Sequence, residues 1–290
     1  MTSQSETGLL TTLVVKHARA SFVSDEVIAG QWRDLNFTAA PDFAQAVDQY
    51  EAFLELISEA GTRVHQLPAA DGVGLDSIYV RDASIVCDRG MILCNMGKPQ
   101  RSGEPSVQEQ ALAAIGLPIL GRIHGEGRIE GGDVVWLDER TVAVGRGYRT
   151  NDAGIAQFRA LLGDAIDDLI VVPLPHWRGP GDVFHLMSVV SPVDRDLAVV
   201  YSPLMPVPFR EVLVARGIRL VEVPEAEFDS MGANVLAIAP RRCVMVDGNP
   251  VTRARLEQAG AEVRTYAGSE ISLKGGGGPT CLTRPIARKM

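Results

Sequence analysis

Near the end of this chain a run of four glycines, Gly275, Gly276, Gly277 and Gly278, leads through Pro279 and Thr280 to Cys281. Consecutive glycines suit neither helix nor strand, since each costs roughly 0.5–1 kcal/mol against alanine in a regular element. A thiol at the end of so adaptable a loop is placed for nucleophilic chemistry; the plain alternative is a glycine-rich turn with an inert, half-buried cysteine. Other polar residues interrupt apolar runs. Asp76 precedes SIYV, Arg81 and Asp82 split it from ASIV, Glu130-Gly131-Gly132-Asp133 precedes VVWL, and His185 sits inside VFHLMSVV. Arg101 lies in KPQRSGE and Arg149 in GYRTN. Singly, each has an ordinary use: a core histidine, a turn-capping acid, a hairpin turn, a solvated arginine. Together they supply a thiol, an imidazole, carboxylates that can grip a cation and arginines that can grip a carboxylate.

The elements that must position these groups follow one grammar. TLVVKH reads as a first strand, and residues 19–42 as a long irregular segment of the kind that forms lids. Asp42 caps a helix running to Gly61, with apolar residues at Phe43, Val47, Tyr50, Phe53, Leu54 and Ile57. Strands follow at RVHQLPA, at SIYVRDASIVCD and at MILCNMG, the last two joined by a turn at Asp88, Arg89 and Gly90. Helices over 104–116, 151–163, 207–216 and 250–259 alternate with short strands, and FHLMSVVSPVD reads as one strand on which His185 and Met187 share a face. About five passes of two or three strands and one helix result, with no linker between them, so one domain over 1–290 is expected. A ring of such modules would bury many short strands without exposed edges.

Composition narrows the function. The 290 residues carry 36 acidic and 28 basic side chains, a net charge of −8, which disfavours non-specific nucleic-acid binding and suits a small cationic ligand. Four scattered cysteines, Cys87, Cys94, Cys243 and Cys281, form no CxxC pair, so neither a zinc site nor a disulfide framework is indicated. No apolar run approaches the ~20 residues of a membrane span. The start, MTSQSETG, lacks a basic leader region, and a cytoplasmic location is the expectation. Whether the chain forms a homodimer is left open.

VRDASIV, EGGDVVWL, GYRTN, FHLMSVVSP and GGGGPTCLT, in this order, resemble the guanidine-modifying superfamily of arginine and agmatine deiminases, amidinotransferases and dimethylargininases, and most of all the dimethylargininases. The resemblance implies a five-module α/β-propeller, the pentein fold, with pseudo-fivefold symmetry. It implies Cys281 as nucleophile, His185 as general acid and base, Glu130 as the acid that orients the histidine, and Asp82 and Asp76 as substrate-binding acids. Arg101 and Arg149 would bind the substrate's α-carboxylate, and neither metal nor organic cofactor would be needed. Two departures bear on the substrate. Deiminases carry His-x-Asp where this chain has His185-Leu186-Met187, which suits a substituted, partly apolar guanidine nitrogen as substrate. Arg81 follows the deiminase form where dimethylargininases often carry an acid. The expected activity is hydrolysis of Nω-methylated arginine to citrulline and an alkylamine. Hydrolysis of arginine itself and a non-catalytic module that binds arginine-like metabolites are the alternatives.

Overall fold

The repeating unit is an antiparallel hairpin whose second strand is joined through a helix to a parallel third strand. In the computed structural model, residues 1–59, 61–182 and 184–290 are described. Ala60, expected near the end of the first long helix, and Val183, expected at the head of a strand, lie outside them. The strands are β1 (Leu9–Val15), β2 (Arg63–Gln66), β3 (Ser84–Cys87), β4 (Gly90–Leu93), β5 (Ile119–Arg122), β6 (Val134–Trp136), β7 (Thr141–Arg146) and β8 (Asp168–Pro173). They continue with β9 (Val190–Asp194), β10 (Leu197–Val200), β11 (Arg219–Glu222), β12 (Val235–Ala239), β13 (Arg242–Val246), β14 (Glu262–Tyr266) and β15 (Arg284–Lys289). They form five three-stranded sheets, β3-β4-β5, β6-β7-β8, β9-β10-β11, β12-β13-β14 and β15-β1-β2. In each, the central strand pairs antiparallel with one neighbour and parallel with the other. The fifth sheet is assembled from both ends of the chain.

After two short helices, α1 (Ala18–Ser21) and α2 (Asp25–Gln31), five helices make the parallel crossovers: α3 (Phe43–Ser58), α4 (Glu104–Ala113), α5 (Asp152–Leu162), α6 (Val207–Ala215) and α7 (Pro250–Gln258). The first crossover shows why they form. Asp42 accepts a hydrogen bond from the Gln45 amide at 2.8 Å, capping α3. Val47, Tyr50, Phe53 and Ile57 recur every three or four residues and are all buried, so they make one face. Central strands such as β10, with Leu197, Ala198, Val199 and Val200 all buried, have no solvent face and read as continuous apolar runs.

Five apolar clusters lie between the five sheets. Tyr50 and Phe53 join the terminal sheet to Val244 and Tyr266 of the last hairpin module. Val14 and Ile286 meet Val86, Met91 and Leu93 of the β3-β4-β5 sheet. Ile85 and Ile92 meet Val134 and Phe158; Val135 and Ala143 meet Val190 and Val200; Val199 and Val221 meet Val235 and Met245. Each module therefore packs on the next, and the last on the first, giving the pseudo-fivefold α/β-propeller that the motif resemblance implied.

Three local expectations are corrected. SIYVRDASIVCD is a strand only over Ser84–Cys87; Leu75–Ile78 is a single 3₁₀ turn, and Asp82 lies in the turn before β3. FHLMSVV is not a strand: Leu186–Ser188 is a 3₁₀ turn after His185, and β9 begins at Val190. Residues 19–42 are not wholly irregular, because Ser24 caps α2 by accepting from the Val27 amide. The last strand, β15, was not anticipated at all.

Phe53 is fully buried and meets Tyr266 at a ring-centroid distance of 4.8 Å, across the seam that closes the ring. Phe53→Ala should cost about 3–5 kcal/mol, read as a lower urea midpoint at unchanged slope. A loss under about 1 kcal/mol would contradict this packing.

Candidate active site

Cys281 stands in the turn between the glycine loop and β15. Its amide and that of Leu282 both donate to the Gly278 carbonyl, at 3.0 and 3.1 Å. Gly276 has φ of +78°, open to glycine without strain. A Cβ at Gly277 would stand 2.4 Å from the Tyr79 ring, so only glycine lets this loop lie against that ring. Asn234 ties the turn down: its Oδ1 accepts from the Thr280 amide at 3.0 Å and from Thr280 Oγ1 at 2.9 Å, and its Nδ2 lies 3.6 Å from Cys281 Sγ. From the other side Arg81 Nε donates to the Thr280 carbonyl at 2.9 Å, and the Arg81 amide to the Cys281 carbonyl at 3.2 Å. The Arg81 guanidinium also pairs with Glu6 at 3.3 Å.

His185 reaches the site from the turn before β9. Its Nε2 donates to Glu130 Oε2 at 2.8 Å, and its Nδ1 lies 3.9 Å from Asp82 Oδ1. Asp133, the second acid of EGGD, accepts from the Leu186 amide at 3.0 Å and from Thr150 Oγ1 at 2.6 Å, so it fixes the backbone beside the imidazole. Glu130 is fully buried. It also accepts from the Gly97 and Lys98 amides at 2.8 and 3.2 Å, and from Arg149 Nη1 at 3.0 Å. Asp82 accepts from the Gly132 amide at 3.0 Å and from Arg101 Nη1 at 2.6 Å.

Two neighbouring cavities open on this cluster. A cleft of about 10 Å³ is lined by Asp76, Tyr79, Asp82, Lys98, Arg101 and Arg149 among others. A chamber of about 350 Å³ is lined by Phe184, Met187, Phe228 and Met231 among others. Cys281, His185, Gly275 and Gly276 line both. Cys281 and His185 thus stand between a charged side and an apolar side.

The eight residues singled out by sequence do converge here, but two are used differently from expectation. Arg101 donates from Nε and Nη2 to Glu104, from Nη1 to Asp82, and from Nη2 also to the Asp76 and Tyr79 carbonyls. So engaged, it aims Asp82 and is not presented to a substrate carboxylate in this structure. Met187 lines the chamber, yet through a 3₁₀ turn and not by strand alternation. Arg149 keeps Nε and Nη2 free of hydrogen bonds among the described residues. Sequence reading missed Lys98, whose Nζ reaches Asp76 at 2.6 Å, as well as Glu104 and Asn234, and it gave Asp133 of EGGD no role of its own. The Arg101 and Glu104 spacing of three was the one local signal available.

Burial sets the resting protonation. It pushes the Cys281 thiol up to about 11, helped by the charge of Asp82 and opposed by Thr280 and Asn234. Burial alone would lower His185, but the charges of Asp82 and Asp133 and the bond to Glu130 raise it to about 9. Glu130, which burial would raise, is held well below the usual carboxylate range by His185 and Arg149. At neutral pH the site therefore rests as a neutral thiol beside an imidazolium. Asp82, Glu130 and His185 also present ligand atoms within 4.8 Å of one another, the chemistry of a cation site, and two arginine side chains already serve these carboxylates. None of the described helices is long and apolar enough to cross a membrane.

The His185 imidazole should titrate by NMR with a midpoint near 9, and Glu130→Gln should lower that midpoint by removing a neighbouring negative charge. A wild-type midpoint at or below the model-peptide value of about 6.5 would contradict this electrostatic picture. Alkylation of Cys281 by a neutral haloacetamide should rise about tenfold per pH unit toward pH 11. An inflection below pH 8 would show that the resting thiol is already ionised.

The sequence model for arginine deiminase matches residues 76–213 and 205–288. The N(G),N(G)-dimethylarginine dimethylaminohydrolase of Streptomyces coelicolor is 29% identical over 221 residues, 76% of this chain and 78% of that protein. The arginine deiminase of Mycobacterium avium is 34% identical over 244 residues, 73% of this chain; the match spans 60% of that longer protein. A Pseudomonas aeruginosa dimethylarginine dimethylaminohydrolase, solved as a cysteine-to-serine mutant with citrulline, superposes with a TM-score of 0.77 at 22% identity, covering 95% of this chain and 98% of that one.

Proposed function

The chain belongs to the arginine deiminase family, and from that premise we propose that it hydrolyses Nω-methylated L-arginine to citrulline and an alkylamine. It is a hydrolase of amidine C–N bonds; the choice of substrate is the further step. The observation that carries that step is Met187 in the chamber wall shared with Cys281 and His185. Deiminases have an acid at this place to accept hydrogen bonds from guanidinium N–H groups. A dimethylated nitrogen has none to donate, and a buried carboxylate left unpaired there would cost more than about 1–3 kcal/mol. A thioether packs against methyl groups and adapts to them.

The chemistry follows from the resting state. A guanidinium gripped by Asp82 brings positive charge to the thiol, offsets the carboxylate that holds it neutral, and favours the thiolate, the thiol proton passing to solvent. Sγ attacks the central carbon and gives a tetrahedral adduct. His185, already protonated, donates its Nδ1 proton to the departing amine as the C–N bond breaks, leaving a thiouronium on Cys281. The now neutral imidazole takes a proton from water as its oxygen bonds to the same carbon. The adduct's hydroxyl proton passes to sulfur as the C–S bond breaks, releasing citrulline and restoring the neutral thiol of the resting site. Glu130 stabilises the imidazolium and fixes its ring. Asp76 and Asp82 hold the cationic substrate, and the spare donors of Arg149 suit its α-carboxylate. Arg101 supports Asp82 in place. The substrate is a small molecule, and no step calls for a cofactor.

Citrulline formation with a panel of arginine analogues tests this reading. The wild type should show higher kcat/KM for Nω-methylated arginine than for arginine, and Met187→Asp should move that ratio toward arginine. A wild type that prefers arginine would make the protein a deiminase by activity as well as by family. Arg149→Ala should weaken binding of α-carboxylate substrates by about 10- to 100-fold, with a smaller loss for decarboxylated analogues. An equal loss for both would remove Arg149 from carboxylate recognition.

A further inference from the structure

Taking methylarginine-type hydrolysis as given, we infer that the outer chamber is a subsite for a bulky apolar group, alkyl or aryl, on the departing nitrogen. The chamber is about 350 Å³, within the range of roughly 300–1,000 Å³ for pockets that enclose whole small molecules. One or two methyl groups leave most of it unfilled. The polarity of the two sides decides which part of the substrate enters it. Asp76, Asp82, Lys98 and Arg149 line the narrow cleft, the side that suits a guanidinium and an amino-acid end. Phe184 and Met187 flank His185 in sequence and line the chamber. Because His185 protonates the departing nitrogen, the substituent on that nitrogen points to the side that Phe184 and Met187 cover.

The chamber wall is built for apolar contact. Phe228 stacks on Tyr201 at 4.0 Å, which holds its ring in place, and meets Trp177 edge-on at 6.1 Å. Met187, Met231 and Leu273 supply flexible surface around it. The charges at the rim serve each other: Arg178 Nη2 donates to both carboxylate oxygens of Asp229 at 2.8 Å, and Lys274 pairs with Glu270 at 2.6 Å. Asp182, part-exposed, is the remaining acid of the lining. A charged or strongly hydrated leaving group would gain little from such a wall. Each further methylene buried in a pocket of this kind is worth about tenfold or more in discrimination. The reaction remains a hydrolysis: the C–N bond to the substituted nitrogen breaks, a C–O bond forms from water, and the amine leaves with its apolar group.

The test compares Nω-methyl-, Nω-butyl- and Nω-benzyl-L-arginine, reading both citrulline and released amine. The butyl and benzyl substrates should exceed the methyl one in kcat/KM by about tenfold or more. Phe228→Ala should erase that gain while leaving the methyl substrate unchanged, with a thermal melt to check folding. Leu273→Trp, which fills the chamber from another wall, should do the same. Calorimetric binding of the three compounds to Cys281→Ser separates this inference from the reading it rests on. If no substrate turns over but the benzyl compound binds Cys281→Ser about tenfold tighter than the methyl one, the activity assignment fails and the subsite stands. Equal or weaker binding and turnover of the larger substrates would overturn the subsite alone.

Discussion

A carboxylate with no contact with water stays charged only if partners replace its hydration, at a cost of several kcal/mol when they are missing. Glu130 is that group here, and the rest of the site depends on how it is paid. Its partners come from three modules: the Gly97 and Lys98 amides that follow β4, Arg149 after β7, and His185 before β9. These groups meet only if the modules close into a ring, so the fold and the catalytic arrangement are one requirement. The charges of Asp82 and Asp133, together with the paired Glu130, raise His185 into the imidazolium form, and in the proposed reaction that proton is the one the departing amine takes.

The nucleophile is arranged in the opposite sense. Burial and Asp82 keep its proton on, so the thiol is quiet until a cation arrives. Asn234, Thr280 and Arg81 fix the turn without ionising it. In the proposed reaction, reactivity is thereby tied to binding of a guanidinium, which guards the thiol against casual alkylation and oxidation. The cleft proposed to receive the guanidinium is narrow in this structure and one wall is the glycine loop, so on this reading the adaptability of that loop belongs to binding as much as to the placement of Cys281.

Much of this was legible in the chain because the proposed catalytic groups interrupt apolar runs. Cys281, His185, Glu130 and Asp82 each stand at an abrupt change of polarity, where a purely structural sequence would continue. The hairpin-helix-strand rhythm was legible for a related reason: central strands buried on both faces leave an unbroken apolar signature. What failed did so where partners are distant. β15 pairs with β1 from the far end of the chain (Leu9 with Lys289, Val14 with Arg284), and no local pattern announces it. Arg101 looked solvated or ligand-seeking from its loop, yet Glu104 and Asp82 claim it. Met187 was placed by an alternation that a 3₁₀ turn replaces, so the reason was wrong although the side chain does line the chamber. Lys98 and Asn234 carried no signal, since their partners Asp76 and Cys281 are fixed only by the tertiary structure.

The central claim is a covalent intermediate on Cys281, formed by displacement of an amine that His185 protonates. Acid-quenching the enzyme during turnover of Nω-methyl-L-arginine and mapping its peptides by mass spectrometry tests it directly. The peptide that contains Cys281 should carry the thiouronium, and the adduct should decay to free thiol at the rate at which citrulline appears. Full turnover with no adduct trapped, or an adduct on Cys87, Cys94 or Cys243, would contradict the account.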